Sequence, residues 1–93
     1  MDNFIKFMQE YDEHKKLHPN LYIHIKEFSR EPKRWRVHVF GREMIQNTGD
    51  AELVFAEAES REEAFRLALE KLKEIENQIY NLKEMHGCVG GRG

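Results

Sequence analysis

Leu21-Tyr22-Ile23-His24-Ile25-Lys26-Glu27-Phe28 and Arg34-Trp35-Arg36-Val37-His38-Val39-Phe40-Gly41 decide the fold. Both runs alternate with period 2. In the first, Leu21, Ile23 and Ile25 face one way while Tyr22, His24, Lys26 and Phe28 face the other. In the second, Trp35, Val37 and Val39 oppose Arg34, Arg36, His38 and Phe40. Such alternation belongs to strands with one buried face, because successive side chains leave a pleated backbone on opposite sides. The short connection Ser29-Arg30-Glu31-Pro32-Lys33 closes the two runs into an antiparallel hairpin. If Ile23 pairs with Val39 and Ile25 with Val37, the opposite face aligns Tyr22 with Phe40, His24 with His38, Lys26 with Arg36 and Phe28 with Arg34.

Before the hairpin, residues 2–18 read as a helix. Phe4, Phe7, Met8 and Tyr11 recur at helical spacing, Asp2 can cap the start, and Pro19 enforces a stop. After it, Asn47-Thr48-Gly49-Asp50 is a turn signal and Glu52 to Ala58 a third strand. The small residues Val54, Ala56 and Ala58 are expected to face a helix, which turns Leu53 and Phe55 the other way. Ser60 then opens a long second helix, with Glu63 completing a Ser-x-x-Glu capping box. Its stripe of Phe65, Ala68, Leu72, Ile75, Ile79 and Leu82 carries it to about Glu84. The expected fold is α+β: a three-stranded antiparallel sheet with an N-terminal and a long C-terminal helix on one face, in the order α-β-β-β-α. Residues 1–86 form one domain, and 87–93 a flexible Gly-rich tail. Trp35, Val37, Ile23, Ile25, Phe65 and Leu72 should be buried together.

Length sets an assembly expectation. A helix over residues 60–84 is about 37 Å long, whereas a strand of the expected length spans about 25 Å. Ile75, Ile79 and Leu82 should overhang the sheet and need cover. A homodimer pairing these overhangs is expected, the alternative being a first helix that folds back over them.

At 93 residues, 40% hydrophobic and 34% charged, the chain suits one modest core and is too apolar for disorder. Its longest apolar run is Leu53-Val54-Phe55-Ala56, so no membrane span is expected. Asp2, Lys6 and Glu10 interrupt the N-terminus, which therefore shows no signal-peptide core. The single cysteine, Cys88, fits a reducing compartment, and the expected location is cytoplasmic.

A net charge of −2 hides segregation. Residues 21–42 carry Lys26, Arg30, Lys33, Arg34, Arg36 and Arg42 against Glu27 and Glu31. Residues 43–63 carry Glu43, Asp50, Glu52, Glu57, Glu59, Glu62 and Glu63 against Arg61. Either this polarity steers a partner, or neighbouring strands neutralise one another.

The hairpin's outer face, with Tyr22, His24, Arg34, Arg36, His38 and Phe40, and its loop, with Arg30 and Lys33, are the candidate partner-binding residues. Like charges set directly across a strand pair cost stability unless something anionic lies nearby. An acidic protein surface would serve. So would single-stranded nucleic acid, held by stacking and phosphate contacts. Glu10, His14 and His18 share one face of the first helix, but no further metal ligand is evident, so no metal or cofactor is expected. Ser29 and Ser60 sit in a loop and at a cap, Cys88 has no defined base, and no Gly-rich loop opens a helix. No enzyme is expected.

The α-β-β-β-α order, with Ala58-Glu59-Ser60 leading into the last helix, resembles the double-stranded-RNA-binding domain layout over roughly residues 2–84. That family grips the RNA major groove with a lysine cluster at the start of the last helix. The matching Ser60-Arg61-Glu62-Glu63-Ala64 presents two glutamates and one arginine. The resemblance implies the layout, and no RNA-binding residue is carried over. The expected function is that of a small non-enzymatic binding protein, a regulator or inhibitor working through protein–protein contact. In type it resembles small proteins of phages and mobile elements. A nucleic-acid-binding module using the basic hairpin face is the alternative.

Overall fold

The computed structural model describes residues 2–45 and 49–92, with side chains described as far as Glu84. The order is α1 (Asn3–Leu17), β1 (Leu21–Phe28), β2 (Arg34–Ile45), β3 (Gly49–Ala58), α2 (Arg61–Leu72) and α3 (Ile75–Arg92). The strands form one antiparallel sheet in the order β1-β2-β3. No helix is long and apolar enough to cross a membrane among the described residues.

Helix α1 begins where the sequence places it, with Asp2 accepting from the Phe4 N–H at 2.8 Å. The hairpin takes the expected register, Ile23 to Val39 and Ile25 to Val37. Helices and sheet enclose a core of Phe7, Tyr11, Leu21, Val37, Val39, Ala64, Phe65, Ala68 and Leu72. Phe65 packs edge-on against Phe4 and Phe7, which joins α1 to α2. Ile23 and Trp35 only fringe this core, and Ile25 is 41% exposed, contrary to expectation. Ile25 lies on the inward phase, but β1 is an edge strand and the helices do not cover its second half.

Strand β3 buries Val54 and Ala56, as expected, and also Leu53 and Ala51. A register shift explains both sets. Val39 pairs with Val54 while the next residue, Phe40, pairs with Glu52, so Leu53 is an extra residue. This bulge lets consecutive residues both turn inward. Phe55 points outward. Of the expected turn, Asn47 and Thr48 lie outside the described residues, while Gly49 and Asp50 already belong to β3.

The long helix divides. It stops at Leu72, and α3 starts afresh at Ile75. No glycine or proline marks the break, which exchanges i→i−4 bonds for tighter bonds at the turn. Lys73 donates to Leu69 O, Glu74 to Lys71 O and Asn77 to Glu74 O, each at 3.1 Å. The tight i→i+3 bonds redirect the axis while Leu72 and Ile75 both stay fully buried. The expected boundary at residue 86 and the tail 87–93 fall where side chains lie outside the described residues; the backbone of α3 continues to Arg92.

The overhang argument also changes. Ile75 and Ile79 are buried within a single chain, with Leu82 partly so. The expected strands were too short. β2 runs twelve residues and β3 ten, and twelve residues at about 3.3 Å each reach roughly 40 Å. The added length, with Met44, Ile45, Ala51 and Leu53, extends the apolar surface that α3 packs upon. Gly41 leaves room for Met44 to fold back, since a Cβ there would collide with the Met44 sulfur. Ile75 and Ile79 therefore offer no free stripe to a second copy.

Candidate functional site

All three helices take part in the core on one side of the sheet, so the other side is open. Register arranges that open face in rows. Tyr22, Phe40 and Glu52 form one, His24, His38 and Phe55 the next, and Lys26, Arg36 and Glu57 a third. Five rings meet there. Tyr22 stacks on Phe40 with centroids 5.2 Å apart, and Phe40 stacks on His38 at 5.6 Å. His24 meets Phe40 edge-on at 5.5 Å, and His38 lies 5.1 Å from Phe55. His24 and Phe55 are exposed, and the other three are half-buried by their neighbours. Aromatic pairs at these separations add attraction beyond area, so the cluster holds its shape without a partner.

The charges of this face are largely answered from β3. Arg36 Nε donates to Glu57 Oε2 at 2.7 Å, and Arg34 approaches the same oxygen at 3.9 Å. The Arg36 hydrogen bond holds the Glu57 carboxyl below its ordinary range, outweighing desolvation. His38 Nδ1 lies 2.6 Å from Glu52. The Tyr22 hydroxyl donates to Asp50, which raises the phenol's pKa and lowers that of the carboxyl. Segregation along the sequence thus becomes neutralisation across β2 and β3. Arg36 also covers the Phe28 ring at 4.7 Å, and Arg42 covers Tyr22 at 5.3 Å.

At the hairpin end the bases are freer. Among the described residues, no carboxylate lies within ion-pair distance of Lys26, Arg30 or Lys33. Arg30, Arg34 and Arg36 line an open concavity of about 490 Å³ together with Glu27, Glu31, Phe28, Ser29 and Pro32. The structure therefore brings Tyr22, His24, Arg34, Arg36, His38 and Phe40 onto one face, and sets Arg30 and Lys33 at its tip. Sequence reasoning missed Phe55, Glu52 and Glu57 as members. Phe55 was legible, since its phase is opposite to Val54 and Ala56; its place beside His38 needed the β2–β3 register.

On the helical side, His14 and His18 meet a residue no spacing could have supplied. Glu76 of α3 sits 2.7 Å from His14 Nδ1 and 2.8 Å from His18 Nε2, while Glu10 lies 2.9 Å from His14 Nε2. Burial raises the Glu76 carboxyl's pKa, but hydrogen bonds and charge from His18 and His14 outweigh it and hold the carboxyl below its ordinary range. This network ties α1 to α3. Among the described residues, no group of three His, Cys, Asp or Glu side chains is placed to hold a metal ion.

An open-faced α+β sheet carrying an aromatic cluster defines the site. Compared with known proteins, the chain matches no family model, no curated protein and no solved structure.

Proposed function

We propose that this chain is a small non-enzymatic binding protein, a regulator or inhibitor that works in the cytoplasm by covering another protein's surface with the open face of its sheet. One observation carries the reading: Tyr22, His24, His38, Phe40 and Phe55 form a contiguous, pre-packed ring cluster on the face that no helix covers. Rigid aromatic side chains provide contact area at low entropic cost, which is why they anchor interfaces. Lys26, Arg30 and Lys33 at the tip suit an acidic patch on the partner and would steer its approach. Nucleic acid is the weaker reading, because Asp50, Glu52 and Glu57 line the same face and would repel phosphate.

Affinity capture from the native host, comparing the unaltered chain with Phe55→Ser and with Arg30→Glu/Lys33→Glu, tests this. The expected result is a protein retained in stoichiometric amount by the unaltered chain and lost with Phe55→Ser, with circular dichroism unchanged. Retention of nucleic acid that salt releases steeply would favour the alternative. A partner held equally by all three chains would place the function elsewhere.

A further inference from the structure

The outer edge of β1 is open to strand pairing. Arg42 N–H donates to Asn20 O at 2.9 Å, which makes residues 20 and 42 a hydrogen-bonded pair. Alternation along an antiparallel ladder then commits Tyr22, His24, Lys26 and Phe28 to β2. It turns the backbone groups of Leu21, Ile23, Ile25 and Glu27 away from the sheet. Leu21 shows the consequence. Its N–H donates to His18 O at 3.1 Å, and its carbonyl accepts from the Tyr11 hydroxyl at 3.1 Å and the Lys15 ammonium at 2.6 Å. Helix α1 closes the edge at that point. Residues 24–28 beyond it are exposed and Ile23 is half-buried, so the outward backbone groups of Ile23, Ile25 and Glu27 form a window bounded by α1 and the hairpin loop.

The opposite edge is treated differently. β3 carries the Leu53 bulge and a second register irregularity opposite residues 42–44, and the Lys71 ammonium donates to Phe55 O. A bulge, and a side chain from α2 that already occupies an edge carbonyl, hinder strand pairing there. β1 pairs with β2 in unbroken register over eight residues, without a bulge or a proline.

The geometry points to a second copy of this chain as the occupant, with two β1 strands antiparallel about a two-fold axis at Ile25. Ile25 is the centre of the window, so only this register uses all of it. Ile25 then meets the partner's Ile25, and Ile23 meets the partner's Glu27. An axis at His24 would set the partner's Glu27 against Leu21, whose edge groups α1 already holds. An axis at Lys26 would oppose two lysines. With the axis at Ile25, Tyr22 also faces the partner's Phe28, so the register covers Ile25 and Phe28, which are 41% and 40% exposed. A foreign extended peptide would gain the same backbone bonds without this self-match. Pairing of this kind joins two open faces into one six-stranded surface, and it stands independently of the partner-binding reading.

Light scattering on the gel-filtered chain, from micromolar to millimolar concentration, tests it. The mass should rise from 11.2 kDa towards twice that value. Ile25→Lys, which sets two lysines face to face, should remain monomeric with an unchanged circular dichroism spectrum. Phe55→Ser should dimerise as the unaltered chain does, which separates this outcome from partner binding. For the register, Ile25→Cys in a Cys88→Ser background should cross-link on oxidation, since paired Cα atoms lie about 5.5 Å apart. Ile23→Cys should not, because its symmetry mate sits about 13 Å along the strand. A chain monomeric at millimolar concentration, a dimer indifferent to Ile25→Lys, or equal cross-linking at both positions would overturn the proposal.

Discussion

Ile75→Ala probes the feature that sets this fold apart from a plain helix-on-sheet layout, the packing of α3 within one chain. Ile75 is fully buried at the first position of α3. The substitution removes three buried carbons, worth about 2.4 kcal/mol at about 0.8 kcal/mol each. The residual cavity takes the cost into the range of about 2–5 kcal/mol. For a domain of this size, even the transfer part lowers the melting temperature by about 10–20 °C. Urea denaturation followed by Trp35 fluorescence and by circular dichroism measures the loss, with Leu17→Ala, at a site 70% exposed, as the control. Repeating the measurement across protein concentrations at or below the micromolar range separates self-cover from cover by a second copy. Within one chain, the loss is independent of concentration. An unchanged midpoint, or a loss that vanishes on dilution, would refute the account of α3.

Other consequences follow from the caps and ion pairs. The Glu76 carboxyl titrates below its ordinary value in the folded chain, so its contribution is present above the ordinary glutamate range and is lost as pH falls through the lower folded value. Glu76→Gln should therefore flatten the acid limb of stability against pH; parallel limbs would remove the α1–α3 network from the account. Ser60 accepts from the Glu63 N–H at 3.2 Å, and Ser60→Ala should cost about 0.5–2 kcal/mol by thermal melting. Glu63→Ala should cost less, since the Glu63 carboxylate pairs with Arg66 and does not close the expected capping box. Arg36→Gln should raise the Glu57 pKa seen by NMR titration, and a fixed value would show that the Arg36 contact is not what lowers it.

Local periodicity made the hairpin legible. The alternation of Leu21–Phe28 against Arg34–Gly41 allows the register that pairs Ile23 with Val39, and the structure adopts it. The caps at Asp2 and Ser60 were equally local. What escaped depends on distant parts of the chain. The break at Lys73 and Glu74 swaps i→i−4 bonds for i→i−3 bonds while keeping the apolar phase of a continuous helix, and no glycine or proline announces it. The extension of β2 through Arg42–Ile45 departs from period 2, with Glu43 at φ 56° and its N–H bound to Asp50 at 2.9 Å, a partner supplied by β3. Exposure of Ile25 reflects which strand lies at the edge, a property of topology and not of the strand's own pattern. In the site, the rings were visible as residue types, whereas the pairing of Arg36 with Glu57 and His38 with Glu52 required the β2–β3 register.

Histidine footprinting tests the claim that the open sheet face is the binding surface. His24 lies exposed within the ring cluster, while His14 and His18 lie on the helical side against Glu76. Acylation with diethyl pyrocarbonate, read by mass spectrometry on the free chain and on its captured complex, compares the two sides of one molecule. The account predicts that His24 loses its reactivity in the complex while the labelling of His14 and His18, shielded against Glu76 in the free chain already, does not change. A complex in which His24 reacts as in the free chain would contradict it.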